Sequence, residues 1–216
     1  MLGLLILQTR FPRPPGDIGH PLSLPGPVRR LVVTGATPAA VVRGDDPAAL
    51  APFVRAGRAL VAQGCTALGT SCGFLARWQR ELQAALPVPV WTSSLLQLAE
   101  LAPRRCGVIT IEAASLTPAH LQAVGADPAT PIEGITPGCA LHRTLMEDRG
   151  ELDEAEACQQ VLAAAERLRA RHPDIEALVL ECTNLPPYAE ALRRASGLPV
   201  YDVLTMLSSR MARLAA

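Results

Sequence analysis

Six residues of this chain carry a thiol: the cysteines at positions 65, 72, 106, 139, 158 and 182. No two are spaced C-x-x-C, and the four histidines form no H-x-x-x-H pattern, so the spacing argues against a zinc site. In a reducing compartment these are free thiols. Most free cysteines are small buried hydrophobes. Two of the six have a different setting. Cys72 lies in Leu68-Gly69-Thr70-Ser71-Cys72-Gly73-Phe74-Leu75, and Cys182 in Leu180-Glu181-Cys182-Thr183-Asn184-Leu185-Pro186-Pro187. Each falls where an apolar strand ends and a helix begins, the edge at which parallel α/β sheets bind ligands. A helix start offers unpaired N–H groups and positive potential. Both would hold a carboxylate. Both would also lower a thiol pKa and populate the thiolate, the form that acts as base or nucleophile. Thr70 and Ser71 beside the first thiol, and Thr183 and Asn184 beside the second, are suitable donors to a carboxylate or a developing enediolate. Cys65, Cys106, Cys139 and Cys158 lack such neighbours and read as packing residues. His20, His120, His142 and His172 are scattered and read as surface or capping groups.

The elements that must position these thiols alternate along the chain. Apolar strands are expected at 2–7, 31–34, 66–69 and 87–91, then at 106–111, 130–135, 177–181 and 198–201. Helices are expected at about 46–63, 73–86 and 93–101, from 117, and at 138–148, 152–171, 186–195 and 203–214. Residues 8–27 are rich in Pro and Gly, which rejects helix. The strands are solidly apolar rather than alternating, the mark of parallel sheets covered on both faces. A shift of 110 residues places Cys72 on Cys182, Ala67-Leu68 on Ala177-Leu178, Leu75 on Leu185, Leu82 on Leu192, and Pro89-Val90-Trp91 on Pro199-Val200-Tyr201. So many matches at one offset, without a gap, point to an internal duplication. The expected fold is therefore α/β, with two pseudo-symmetric Rossmann-like halves. Each half is a four-stranded parallel sheet flanked by helices, and the active site lies between them. The expected partition is 1–92 plus 203–216 against 93–202.

Composition removes several chemistries. The chain has 216 residues and balances 20 Lys+Arg against 20 Asp+Glu, and every one of those bases is arginine. Without lysine there is no Schiff base with a carbonyl substrate or pyridoxal phosphate, and no P-loop lysine. Zero net charge and 3% aromatic residues give no basis for nucleic-acid binding. The apolar runs are far shorter than the roughly 20 residues that span a bilayer. No basic flank precedes the first apolar run, so it does not read as a signal peptide. A cytoplasmic location without membrane association is the default expectation. A homodimer is common at this size.

The duplicated architecture, with T-S-C-G in the first half and E-C-T-N in the second, resembles the aspartate/glutamate racemase superfamily over essentially the whole chain. The resemblance implies two α/β halves, an active site between them and no cofactor. It implies that one cysteine removes the Cα proton of an amino acid while the other returns a proton from the opposite face. By position these are Cys72 and Cys182, with Thr70, Ser71, Gly73, Thr183 and Asn184 around the substrate carboxylate. Physical chemistry agrees: inverting a stereocentre with two bases needs one group on each face of a planar intermediate, and a duplicated fold supplies opposed groups.

The chain also departs from that pattern. After the first strand, where many racemases of this superfamily have a short Gly-rich or Ser/Asn-containing turn, it has Gln8-Thr9-Arg10-Phe11-Pro12-Arg13-Pro14-Pro15-Gly16-Asp17. Arg10 and Arg13 could clamp a second carboxylate bidentately, and Asp17 could pair with an arginine or an amino group. The alternative is a Pro-stiffened surface loop with solvated arginines. Thr110 and Ser115, after the fifth strand, are further candidates for the cleft. Asn184 stands where glutamate racemases usually have histidine, which argues against glutamate. The leading expectation is a cofactor-independent racemase of an acidic or related amino acid. Lyase, decarboxylase and cis–trans isomerase activity on a small carboxylic acid are the alternatives, since the superfamily includes them. A non-catalytic binder on the same scaffold would need neither cysteine.

Overall fold

A computed structural model describes residues 1–215. In chain order the elements are β1 (Leu2–Leu7), β2 (Val28–Val33), α1 (Pro38–Arg43), α2 (Leu50–Ala62), β3 (Ala67–Thr70), α3 (Gln79–Ala85), β4 (Val90–Trp91), α4 (Gln97–Leu101) and β5 (Cys106–Thr110). They continue with α5 (Pro118–Ala123), β6 (Ile132–Gly134), α6 (Ala140–Met146), α7 (Glu154–Arg171), β7 (Ala177–Leu180), α8 (Ala189–Ser196), β8 (Val200–Tyr201) and α9 (Val203–Ala215). They form two four-stranded sheets, ordered β2-β1-β3-β4 and β6-β5-β7-β8, with every pairing parallel. The central strands β1, β3, β5 and β7 are buried along their whole length. That burial on both faces is why their sequences are apolar apart from the terminal Thr70 and Thr110.

The 110-residue repeat appears in the strand register. Leu68 faces Val90 and Gly69 faces Trp91 in the first sheet. In the second, Leu178 faces Val200 and Val179 faces Tyr201. The Leu68 N–H donates to the Pro89 carbonyl at 2.9 Å, and the Leu178 N–H donates to the Pro199 carbonyl at the same distance.

Two local expectations shift. The second strand runs over Val28–Val33, a few residues earlier than expected, because it pairs along the full length of β1. Each helix expected after a cysteine begins as a tighter 3₁₀ segment, Gly73–Trp78 before α3 and Pro186–Tyr188 before α8. At the second of these, Pro186 and Pro187 have no N–H to enter the α pattern. The short α1 was not foreseen from the sequence. Its six residues include two valines, which weaken the helical signal.

Most of the core is one cluster running through both sheets and including Cys72 and Cys182. A smaller cluster sets Val203, Met206 and Leu207 of α9 against Leu2, Leu4 and Ile6 of β1 and against Trp91. The last helix thus returns to the first sheet. Residue 216, the end of the segment expected to join the first half, lies outside the described residues. No helix among the described residues is long and apolar enough to cross a membrane.

Candidate active site

Cys72 and Cys182 each lie two residues beyond the end of a central strand, β3 or β7, at equivalent places in the two sheets. Both side chains line one small pocket. Its other walls are Leu7, Phe11, Val42, Phe74, Leu145 and Met146, with Pro38 and Ile111. Its polar lining consists of Arg13, Ser71, Gly73, Glu181, Thr183 and Asn184. The thiols are 7% and 6% exposed.

The polar neighbours hold the two cysteine turns in place. The Ser71 hydroxyl accepts from the Leu7 N–H at 2.8 Å. The Thr183 hydroxyl donates to the Ser71 carbonyl at 2.7 Å, a bond from one cysteine turn to the other. The Thr70 hydroxyl donates to the Thr92 carbonyl at 2.6 Å and to the Cys72 carbonyl at 3.0 Å. These hydroxyls are engaged with backbone. The Leu75 N–H donates to the Cys72 carbonyl at 3.2 Å, and the Cys182 thiol donates to the Asn184 side-chain oxygen at 3.6 Å.

The long connection 8–27 forms part of the site. Phe11, Asp17, Ile18 and Leu24 are buried. Asp17 accepts from Arg13 at 2.8 Å and from the Asn184 amide at 2.6 Å. The Arg13 guanidinium lies 4.7 Å over the Phe11 ring and donates to the Thr9 hydroxyl. The Ile18 N–H donates to the Thr183 carbonyl at 3.3 Å. The loop of the first half is therefore fastened to the cysteine turn of the second. Asp17 takes the expected arginine partner.

Cys72, Cys182, Ser71, Gly73, Thr183 and Asn184 come together at the pocket as expected. Arg10, Thr70, Thr110 and Ser115 are placed elsewhere. The Arg10 side chain is 82% exposed and pairs with Asp148. Arg13, four-fifths buried, is the arginine that reaches the pocket. Ser115 donates to Glu112 at 2.6 Å, away from the pocket. Thr110 donates to Glu181 at 2.6 Å and acts behind the wall.

One expectation is corrected. Both thiols were expected to be acidified by their helix starts. Burial instead pushes Cys72 up to about 12, with the Glu181 carboxyl adding to the rise, and the N–H groups of Phe74 and Leu75 offset only part of it. Cys182 is raised well above the ordinary thiol range for the same two reasons, burial first. Removing a thiolate from water costs more than one short turn of dipoles returns. Both shifts favour the neutral thiol.

Glu181 was not foreseen as a site residue. It is fully buried, and its carboxyl is pushed up to about 8 by burial, against the opposing hydrogen bond from Thr110. The signal was in the sequence: β7 is a buried apolar run, and the next residue is a charge-bearing one directly before the cysteine. A glutamate at the end of such a strand must be neutral, paired or functional. Among the described residues no group of three or more His, Cys, Asp or Glu could hold a metal ion.

Residues 91–210 match the model of the Asp/Glu/Hydantoin racemase family. Over 230 residues the chain is 31% identical to dimethylsulfoniopropionate lyase 7 of Emiliania huxleyi, covering 99% of this chain and 67% of that protein. It is 29% identical to dimethylsulfoniopropionate lyase 5 of the same organism, covering 95% of this chain and 44% of that one. The chain thus spans about half to two thirds of these relatives. Among solved structures, a variant of arylmalonate decarboxylase in its sulfate-associated form superposes with a TM-score of 0.67 at 17% identity, covering 100% of this chain and 94% of that one.

Proposed function

Since this chain belongs to the Asp/Glu/Hydantoin racemase family, we propose that it is an enzyme that removes the proton α to a small carboxylate, with Cys72 and Cys182 as its acid–base pair, and that its reaction is a β-elimination from a sulfonium-bearing acid such as dimethylsulfoniopropionate. The observation that carries this reading is the company the two thiols keep. They face one pocket with a largely apolar wall, and the one carboxyl among its described lining residues, Glu181, is pushed up to about 8 by burial. An ammonium group brings N–H donors that need acceptors, and Asp17 is already occupied by Arg13 and Asn184. A dimethylsulfonium group brings methyls and no donors. It suits Phe11, Phe74, Leu145 and Met146.

The chemistry balances without further reagents. One thiolate takes the Cα proton. The freed C–H electron pair becomes the Cα–Cβ double bond. The Cβ–S bond breaks with its pair, leaving as neutral dimethyl sulfide, and acrylate remains. The thiol then returns its proton to solvent. The cationic leaving group also assists activation, because a positive charge beside a buried thiol favours its ionised form.

Racemisation of an amino acid is the second reading. The observation in its favour is the second thiol, since an elimination needs only one base. The two are separated by incubating the protein with dimethylsulfoniopropionate and following dimethyl sulfide in the headspace and acrylate by NMR. A parallel incubation with L-aspartate and related amino acids in D₂O follows the Cα proton. Dimethyl sulfide with equimolar acrylate is expected. Its absence, together with Cα exchange and appearance of the D-form, would replace elimination by racemisation.

A further inference from the structure

Glu181 has one carboxyl oxygen accounted for and one not. Its Oε2 accepts from the Thr110 hydroxyl at 2.6 Å. Its Oε1 is buried and has no hydrogen-bond partner among the described residues. Oε1 lies directly over Gly73, in the cysteine turn of the other half. A Cβ on Gly73 would collide with both the carbonyl and the carboxyl oxygen of Glu181. Gly73 and Glu181 both line the pocket. The bare backbone at Gly73 thus makes room for a carboxyl group placed between the two thiol-bearing turns.

A buried polar atom without a partner carries a penalty of about 1–3 kcal/mol, more if it is charged. Such an atom in a pocket is explained when a ligand supplies the partner. The titratable and charged groups around Glu181 are Cys72 and Cys182, on the turns after β3 and β7, and the mutually paired Arg13 and Asp17 on the loop across the pocket. From β5 the facing group is the neutral Thr110. Among the described residues, no unpaired cation faces Glu181 to hold it ionised. With Thr110 donating to Oε2, a proton on the group belongs on Oε1, the atom that lacks a partner.

We propose that Glu181 is a protonated acid whose Oε1–H donates a hydrogen bond to the carboxylate of the substrate, and to the enediolate that forms when a thiolate removes the α proton. This deepens the proton-abstraction reading and rests on it. A neutral buried acid can meet developing negative charge without first neutralising it.

The test uses propionate, which has the carboxylate but no leaving group, so it reads Glu181 whether or not elimination occurs. Binding is measured by calorimetry from pH 6 to 9.5 for the wild type, Glu181→Gln and Glu181→Leu. Wild-type affinity is expected to hold below pH 8 and then fall by about tenfold per pH unit as the donor ionises. Glu181→Gln keeps an N–H donor and should bind within about fivefold of wild type at pH 6.5, with no alkaline fall. Glu181→Leu should lose about tenfold or more at pH 6.5. Infrared difference spectra between wild type and Glu181→Gln at pH 6.5 should show a carboxylic-acid C=O band. A carboxylate band instead, a wild-type affinity flat to pH 9.5, a Gln variant as weak as the Leu variant, or no propionate binding by wild type would each overturn the proposal.

Discussion

Replacing Cys72 or Cys182 by alanine removes the group that handles the proton and leaves a small void in the pocket wall. General acid–base groups contribute about 10²- to 10⁴-fold to rate. For elimination, the variant that lacks the base is therefore expected to lose at least a hundredfold in kcat, as measured by dimethyl sulfide release, and the other to lose less; racemisation would need both thiols. Activity surviving in both variants would end the thiol mechanism. Glu181 makes a separate prediction about stability. Its carboxyl is raised from 4.5 to about 8 by burial, so between those values the folded chain binds a proton that the unfolded chain has lost. Unfolding free energy then decreases as pH rises, because the native state holds more protons. The decrease should start near pH 4.5 and level off above pH 8. Denaturant titrations across that range should show the slope in wild type and its loss in Glu181→Gln. An unchanged slope in the variant would assign it to other groups.

At the scale of elements, the two cysteine turns work because strand, turn and helix follow without slack. The long α7 is the outer buttress of the second half, packing Val161, Ala164 and Leu168 inward. It starts at Asp153, whose carboxylate accepts from the Glu156 N–H at 2.9 Å. Asp153→Ala should cost about 1 kcal/mol, seen as a lower denaturation midpoint with little change in activity, since α7 does not line the pocket. The alternation of elements was legible because buried parallel strands must be apolar throughout, as in Ala177–Leu180. The short 3₁₀ segments after each cysteine were not, because the choice between 3₁₀ and α depends on what the turn packs against. Glu181 against Gly73 is one such contact.

At the scale of the whole molecule, the pocket exists only because two sheets meet. The Thr183 hydroxyl on the Ser71 carbonyl, at 2.7 Å, ties the halves together at a buried position, and the Ser94 hydroxyl on the Leu180 carbonyl, at 2.6 Å, fastens the segment after β4 to the end of β7. The loop 8–27 adds Asp17 on Asn184. Thr183→Val keeps the shape and removes the donor. It should destabilise by about 1–3 kcal/mol, because the Ser71 carbonyl loses that donor out of reach of water. Equilibrium denaturation with an unchanged m-value would identify this as lost stability rather than a change of unfolded state. A midpoint equal to wild type would mean that water or another donor replaces the hydroxyl.

Sequence alone was enough to single out Cys72 and Cys182, because a duplication leaves its constant offset in the order of residues, and to indicate α/β halves, because buried parallel strands leave an apolar signature. It also excluded lysine chemistry by composition. Three matters were decided only in three dimensions. Arg13 rather than Arg10 reaches the pocket, since both sit in the same irregular loop and only its path separates them. The thiols are raised rather than acidified, because desolvation depends on the walls that close around a side chain and not on its neighbours in the chain. Glu181 meets Gly73 from the other half, a contact between residues more than a hundred positions apart. Periodicity and spacing report the environment along one element, whereas the electrostatics of a site are set by the elements that fold over it.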